Sequence, residues 1–139
     1  MIIKLLIVDD QQRIRNSIKE VLESEADICV QGEAASAEEA LEKLKQISPN
    51  IVLMDIKMGA VDGLKATEII RRLYPRISII ILTAFENDSY LNEAIRRGAS
   101  AYLVKDTAVE LLPSAIRVVI NGGSVWPINL IRSKFVDCH

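Results

Sequence analysis

The chain is nearly without histidine: there is one in 139 residues, and that one, His139, is the last. This argues against a His-based catalytic triad, a zinc centre or an internal phosphohistidine, each of which needs an imidazole held inside a fold. Cysteine is almost as scarce. Cys29 and Cys138 stand far apart and form no CxxC. We expect Cys29 to be a small buried core residue and Cys138 a tail thiol, in a reducing, cytoplasmic compartment. A basic excess is missing too. The formal net charge is -2, whereas a free-standing nucleic-acid binder usually carries clustered positive charge. No apolar run is long enough to span a bilayer, so no membrane partner is expected. The start, MIIKLLIVDD, turns acidic at once and has no small-residue cleavage site. It reads as a first strand rather than a signal peptide. There is no GxGxxG, which weakens a dinucleotide-binding reading.

What is present is apolar and regular. Half the residues are hydrophobic, enough for one domain with a real core. Apolar runs alternate with helical periods. Lys4–Val8 is a strand. Arg13–Glu23 follows as a helix with Ile14, Ile18, Val21 and Leu22 on one face. Ile28–Glu33 is the second strand. Ser36 with Glu39 three residues on is a capping-box pattern. It opens a helix with the stripe Ala37, Ala40, Leu41 and Leu44, which Pro49 stops. Ile51–Met54 is the third strand, and Asp62–Leu73 a helix with Leu64, Ala66, Ile69, Ile70 and Leu73 as its stripe. Ile77–Leu82 is the fourth strand. Asn87 or Asp88 caps a helix through Arg97, ended by Gly98. Ala101–Val104 is the fifth strand, and a last helix runs from about Ala108 to Asn121, stopped by Gly122-Gly123. Pro113 within it either starts the main helix or kinks it. Strands without polar alternation are buried on both faces, which means an α/β fold with a parallel sheet between helix layers.

That alternation leaves several doubly wound folds open. The strand ends narrow the choice. The first strand ends in Asp9 and Asp10, the third in Asp55, the fourth in Thr83 and the fifth in Lys105. Ligands in such sheets bind beyond the carboxyl ends of the strands. Three carboxylates there raise each other's pKa unless a cation neutralises them, and oxygen ligands suit a hard cation such as Mg2+.

With LLIVDD, VLMDIKM followed by DGL, IIILTAF and GASAYLVKD in this order, the sequence resembles a response-regulator receiver domain of bacterial two-component signalling. The resemblance covers Ile3 to about Gly123. It implies a single (βα)5 flavodoxin-like domain, residues 1–123, with strand order 2-1-3-4-5, an order for which the family already serves as an example. It implies that Asp55 accepts a phosphoryl group from a sensor histidine kinase. Mg2+ would sit on Asp9, Asp10 and Asp55, with the backbone carbonyl of Lys57 as a further ligand. Lys105 would meet a phosphoryl oxygen, and Thr83 would donate to another. Tyr102 would swing inward as Thr83 moves, changing the surface of the fourth helix, fifth strand and fifth helix. Such a domain is a signalling switch, not a turnover enzyme.

The sequence departs from the family pattern in two places. Gly59 follows Met58 where proline is usual, leaving that loop freer. Asp106 follows Lys105 where a cis proline is common, so a trans bond is expected. The ending GGS and the segment GASAYLVKD resemble the NarL/LuxR-type subfamily, in which a helix-turn-helix DNA-binding domain follows. We therefore expect contact with DNA only through a further domain, and expect residues 124–139 to form a linker or interface helix. Trp126, Ile128, Leu130, Ile131, Phe135 and Val136 make this tail apolar. It either folds back on the domain or joins the last helix in a homodimer contact, and Pro127 could open a short helix in it. Three rival functions stand beside this reading. A haloacid-dehalogenase-type phosphatase would place its nucleophile on the first strand in a DxD spacing, which VDDQQ lacks. A pseudo-receiver would bind partners without accepting phosphate. A flavodoxin-like or dinucleotide-binding module is the weakest.

Overall fold

The computed structural model describes residues 1–56, 62–84, 87–105 and 109–127. Among the described residues, five strands alternate with five helices: β1 (Ile3–Val8), α1 (Gln12–Glu23), β2 (Ile28–Ala34), α2 (Ala37–Lys43), β3 (Ile51–Met54), α3 (Gly63–Leu73), β4 (Ser78–Thr83), α4 (Asp88–Arg96), β5 (Ala101–Val104) and α5 (Leu112–Ile120). The strands form one parallel sheet in the order β2-β1-β3-β4-β5, as the resemblance implied.

The sheet is buried on both sides because its central strands carry apolar residues at every position. Leu6, Val8, Val52, Met54, Ile79 and Ile81 face α2, α3 and α4. Leu5, Ile7, Ile51, Leu53, Ile80 and Leu82 face α1 and α5. Consecutive strand residues point to opposite faces, so an unbroken apolar run feeds both layers. At the β2 edge this logic lapses. Cys29 is exposed, against the expectation of a core cysteine, because one face of the end of an edge strand lies beyond the flanking helices. The register also skips Gln31, since Leu5 faces Val30 while Leu6 faces Gly32.

Helix ends are set by local chemistry. The Ser36 hydroxyl accepts from the Glu39 N–H at 3.1 Å, while the Glu39 carboxylate accepts from the Ala35 N–H rather than that of Ser36. The capping box is thus one residue wider than the usual pattern. Asp62 caps α3 through the Lys65 N–H, and Asn87 caps α4 through that of Tyr90. Gly98, at φ +100°, ends α4 in a conformation that favours glycine. Two expectations need adjusting, while for Pro113 the first of the two alternatives holds. α2 ends at Lys43, well before Pro49. Leu73 is 60% exposed, because the last turn of α3 runs past the core. A 3-10 turn over Val109–Leu111 precedes α5, and Pro113 sits in the first turn of that helix, where its missing N–H leaves no bond broken. The chain then folds back. Val125 bridges in parallel to Ala101, donates to the Ser100 carbonyl and accepts from the Tyr102 N–H at 2.9 Å. Trp126 packs half-buried against the α2–α4 side of the core. The tail helix after Pro127, Cys138 and the Lys105–Asp106 peptide lie outside the described residues.

Candidate phosphoryl and metal site

The carboxyl ends of the strands bring the predicted acids together. β1 hands the chain to Asp9 while the ladder still continues: the Asp9 N–H donates to the Ala34 carbonyl, and the Asp55 N–H to that of Val8, both at 3.0 Å. Sheet hydrogen bonds therefore fix both backbones side by side. Asp9, Asp10 and Asp55 each offer a carboxylate oxygen, and these lie within 4.8 Å of one another. Asp9 and Asp55 are buried and Asp10 is exposed, so the cluster has a dry floor and one solvent-facing wall.

The Lys105 ammonium, just after β5, donates to Asp9 Oδ2 at 2.5 Å and lies 3.5 Å from Asp55 Oδ2. The other Asp9 oxygen accepts from the Gln11 N–H at 2.9 Å. Burial pushes the Asp55 carboxyl above its usual range; Lys105 opposes that shift and the Asp9 charge adds to it. Lys105 thus offsets the burial of Asp55 only in part. A hard cation would relieve Asp55, and an all-oxygen donor set at this spacing fits a divalent ion.

Thr83 ends β4 and is fully buried. Tyr102, in the middle of β5, is also fully buried, within the α2–α4 side of the core. Its ring already lies inside, where the sequence reading expected it to arrive by swinging inward. Lys57, expected to supply a backbone carbonyl, falls outside the described residues.

A family model for the response regulator receiver domain matches residues 5–117. The chain belongs to the response regulator receiver family. Among curated relatives, the transcriptional regulatory protein LnrK of Bacillus subtilis is 36% identical to this receiver over 128 residues, 92% of this chain and 58% of that one. The response regulator protein VraR of Staphylococcus aureus (strain NCTC 8325) is 36% identical over 135 residues, 96% of this chain and 65% of that one. The receiver therefore spans about three fifths of the length of these relatives. A solved LuxR-family two-component response regulator from Aurantimonas sp. SI85-9A1 superposes with a TM-score of 0.89 at 26% identity, over 95% of this receiver and 94% of that chain. These relatives agree with the NarL/LuxR-type resemblance.

Two residues of the receiver's site escaped the sequence reading. Gly63, the first residue of α3, donates its N–H to the Ile56 carbonyl at 2.6 Å. A Cβ there would overlap the Asp55 carbonyl oxygen, so the helix approaches the end of β3 as closely as only glycine allows. Arg15 is buried on α1 and donates to the Asp9 carbonyl at 2.6 Å. It sits at i-3 from Ile18 and i-7 from Leu22. A charged residue on the apolar stripe was the signal that could have revealed it.

Proposed function

We propose that this receiver switches by accepting a phosphoryl group on Asp55 from a histidine kinase. The observation that carries this reading is the pairing of a buried, poorly satisfied Asp55 with a lysine 3.5 Å away, beside two further carboxylates. An Asp55 carboxylate oxygen attacks phosphorus and the Asp55 O–P bond forms. The N–P bond to the kinase imidazole breaks, and the imidazole leaves with its electron pair, to be reprotonated. Asp9, Asp10 and Asp55, with the Lys57 carbonyl, are the residues that would hold Mg2+. When bound, that ion supplies charge neutralisation between the anionic nucleophile and the phosphoryl oxygens.

Lys105 is engaged by Asp9 in the present state. With the acids neutralised it is free to turn to a phosphoryl oxygen as a point charge. Thr83 donates its hydroxyl to another oxygen, a contact that exists only in the phosphorylated state and so biases a two-state surface. Tyr102 and the α4–β5–α5 surface carry the change outward. In the full-length protein, acting in the cytoplasm, it reaches a helix-turn-helix DNA-binding domain beyond residues 124–139. Leu111 and Val118, both exposed near and on α5, offer apolar surface for a homodimer contact.

The reading makes the receiver a single-turnover switch rather than a steady enzyme. Intact mass after incubation with acetyl phosphate tests it. One phosphoryl adduct that needs Mg2+ and is lost in Asp55→Ala is the expected result. No adduct and no released phosphate would make the protein a partner-binding pseudo-receiver; free phosphate accumulating over many turnovers would make it a phosphatase.

A further inference from the structure

Arg15 keeps only 9% of its surface exposed. A guanidinium in such a place is costly unless its donors are met. Here they are met on three sides. Nη1 donates to the Asp9 backbone carbonyl at 2.6 Å, Nε to the Glu33 carboxylate at 3.0 Å and Nη2 to Gln12 Oε1 at 2.6 Å. Lys19 donates to the second Glu33 oxygen at 2.7 Å, so the anchor that receives Arg15 is itself held from the far side. The bond toward the acidic pocket ends on backbone. That carbonyl belongs to the peptide joining Asp9 to Asp10. Fixing this peptide fixes the directions in which both carboxylates leave the turn. The Asp9 N–H bond to Ala34 and the Gln11 bond to Asp9 Oδ1 hold the same turn from its other sides.

We propose that Arg15 is a positioning residue for the metal site, pinning the Asp9–Asp10 peptide so that both carboxylates face Asp55 at ligand spacing. The proposal rests on the metal-binding reading above. Arg15 touches no ligand atom and acts through the Asp9 carbonyl. Its two influences on a bound cation have opposite signs. As a nearby positive charge it repels the ion, and as a brace it preserves the geometry that binds it. Removing it therefore tells the two apart.

The experiment is calorimetric titration of MgCl2 into wild type, Arg15→Lys and Arg15→Met, with circular dichroism confirming the fold of each. Loss of a residue that orients a metal ligand typically weakens binding about tenfold or more, and Arg15→Met is expected to do so. Arg15→Lys keeps the charge but loses the planar fork, and is expected to bind about threefold more weakly than wild type, between the two. Equal or tighter binding by folded Arg15→Met overturns the proposal, as does wild-type affinity in Arg15→Lys. If Arg15→Met does not fold, Arg15→Lys decides by the same criterion. Wild type that binds no Mg2+ removes the metal reading and this proposal together. Wild-type binding that both variants retain removes the proposal alone.

Discussion

The two ends of the sheet treat carboxylates in opposite ways. At the carboxyl ends of the strands Asp55 faces Asp9 and Asp10, and burial pushes its pKa up. At the other end, in the turn between α1 and β2, Asp27 accepts two bonds from the Arg117 guanidinium, at 2.8 and 2.9 Å. Glu25 accepts a third from Arg117, at 2.6 Å. That pairing holds Asp27 below its usual range and Arg117 above its own. One end closes the fold with complementary charge. The other gathers like charge and leaves it incompletely answered. The difference separates groups that serve stability from groups that serve chemistry, since functional sites commonly carry strain that the rest of a fold offsets.

The largest break in this comparison is expected at Gly63. Gly63→Ala forces a methyl group into the Asp55 carbonyl, and backbone cannot yield as a flexible side chain can. A loss of about 3 kcal/mol is expected in denaturant unfolding, the upper range for overpacking, with a matching loss of phosphoryl acceptance. Near-wild-type stability would mean that α3 moves without cost.

A paired test sharpens the contrast between the ends. Asp55→Asn removes the buried charge while keeping the shape, and should stabilise the Mg2+-free protein by about 1 kcal/mol while abolishing the adduct. Asn50→Ala acts at the opposite end. It removes the side-chain oxygen that accepts from the Lys4 N–H at 2.8 Å, and should destabilise by about 1 kcal/mol without changing Mg2+ affinity. Both variants destabilising the fold would dissolve the distinction.

The smallest effect concerns pH. Because the folded pKa of Asp27 is lowered from 3.8, its charged form favours the folded state. That contribution is fully present above pH 3.8 and fades as pH falls through the lower folded value. Asp27→Asn should therefore be less stable than wild type at neutral pH, with the gap closing in acid and shrinking in high salt. A gap that persists at pH 2 would assign the effect to something other than this ion pair.

Much of this arrangement was legible in the sequence, and most of the illegible parts share a cause. Strands and most helix stripes could be read because periodicity is local, as in Ile51–Met54 or the Ile18 and Leu22 face of α1. Asp9, Asp10, Asp55, Thr83 and Lys105 could be read because each closes an apolar run, and the topology sends all those ends to one edge. Strand order came from the resemblance, since no local pattern states which strand pairs with which. That is why Cys29 misled: its apolar neighbours Ile28 and Val30 look like core, and only its place on the outermost strand exposes it. The reach of Gly63 to the Asp55 carbonyl and of Arg15 to that of Asp9 are contacts between elements, which spacing along a chain does not encode. Leu73 failed for a plainer reason, as a stripe does not say where the layer beneath it ends.

The strap that Val125 lays along β5 has an optical consequence. The chain contains one tryptophan, and the strap carries it: Trp126 follows the residue whose carbonyl accepts from the Tyr102 N–H. All indole emission from this protein therefore originates at one border of the sheet, a backbone hydrogen bond away from the strand that bears Tyr102. Any rearrangement of that border shifts a single, unmixed spectral band, so stopped-flow mixing can follow it in unlabelled protein.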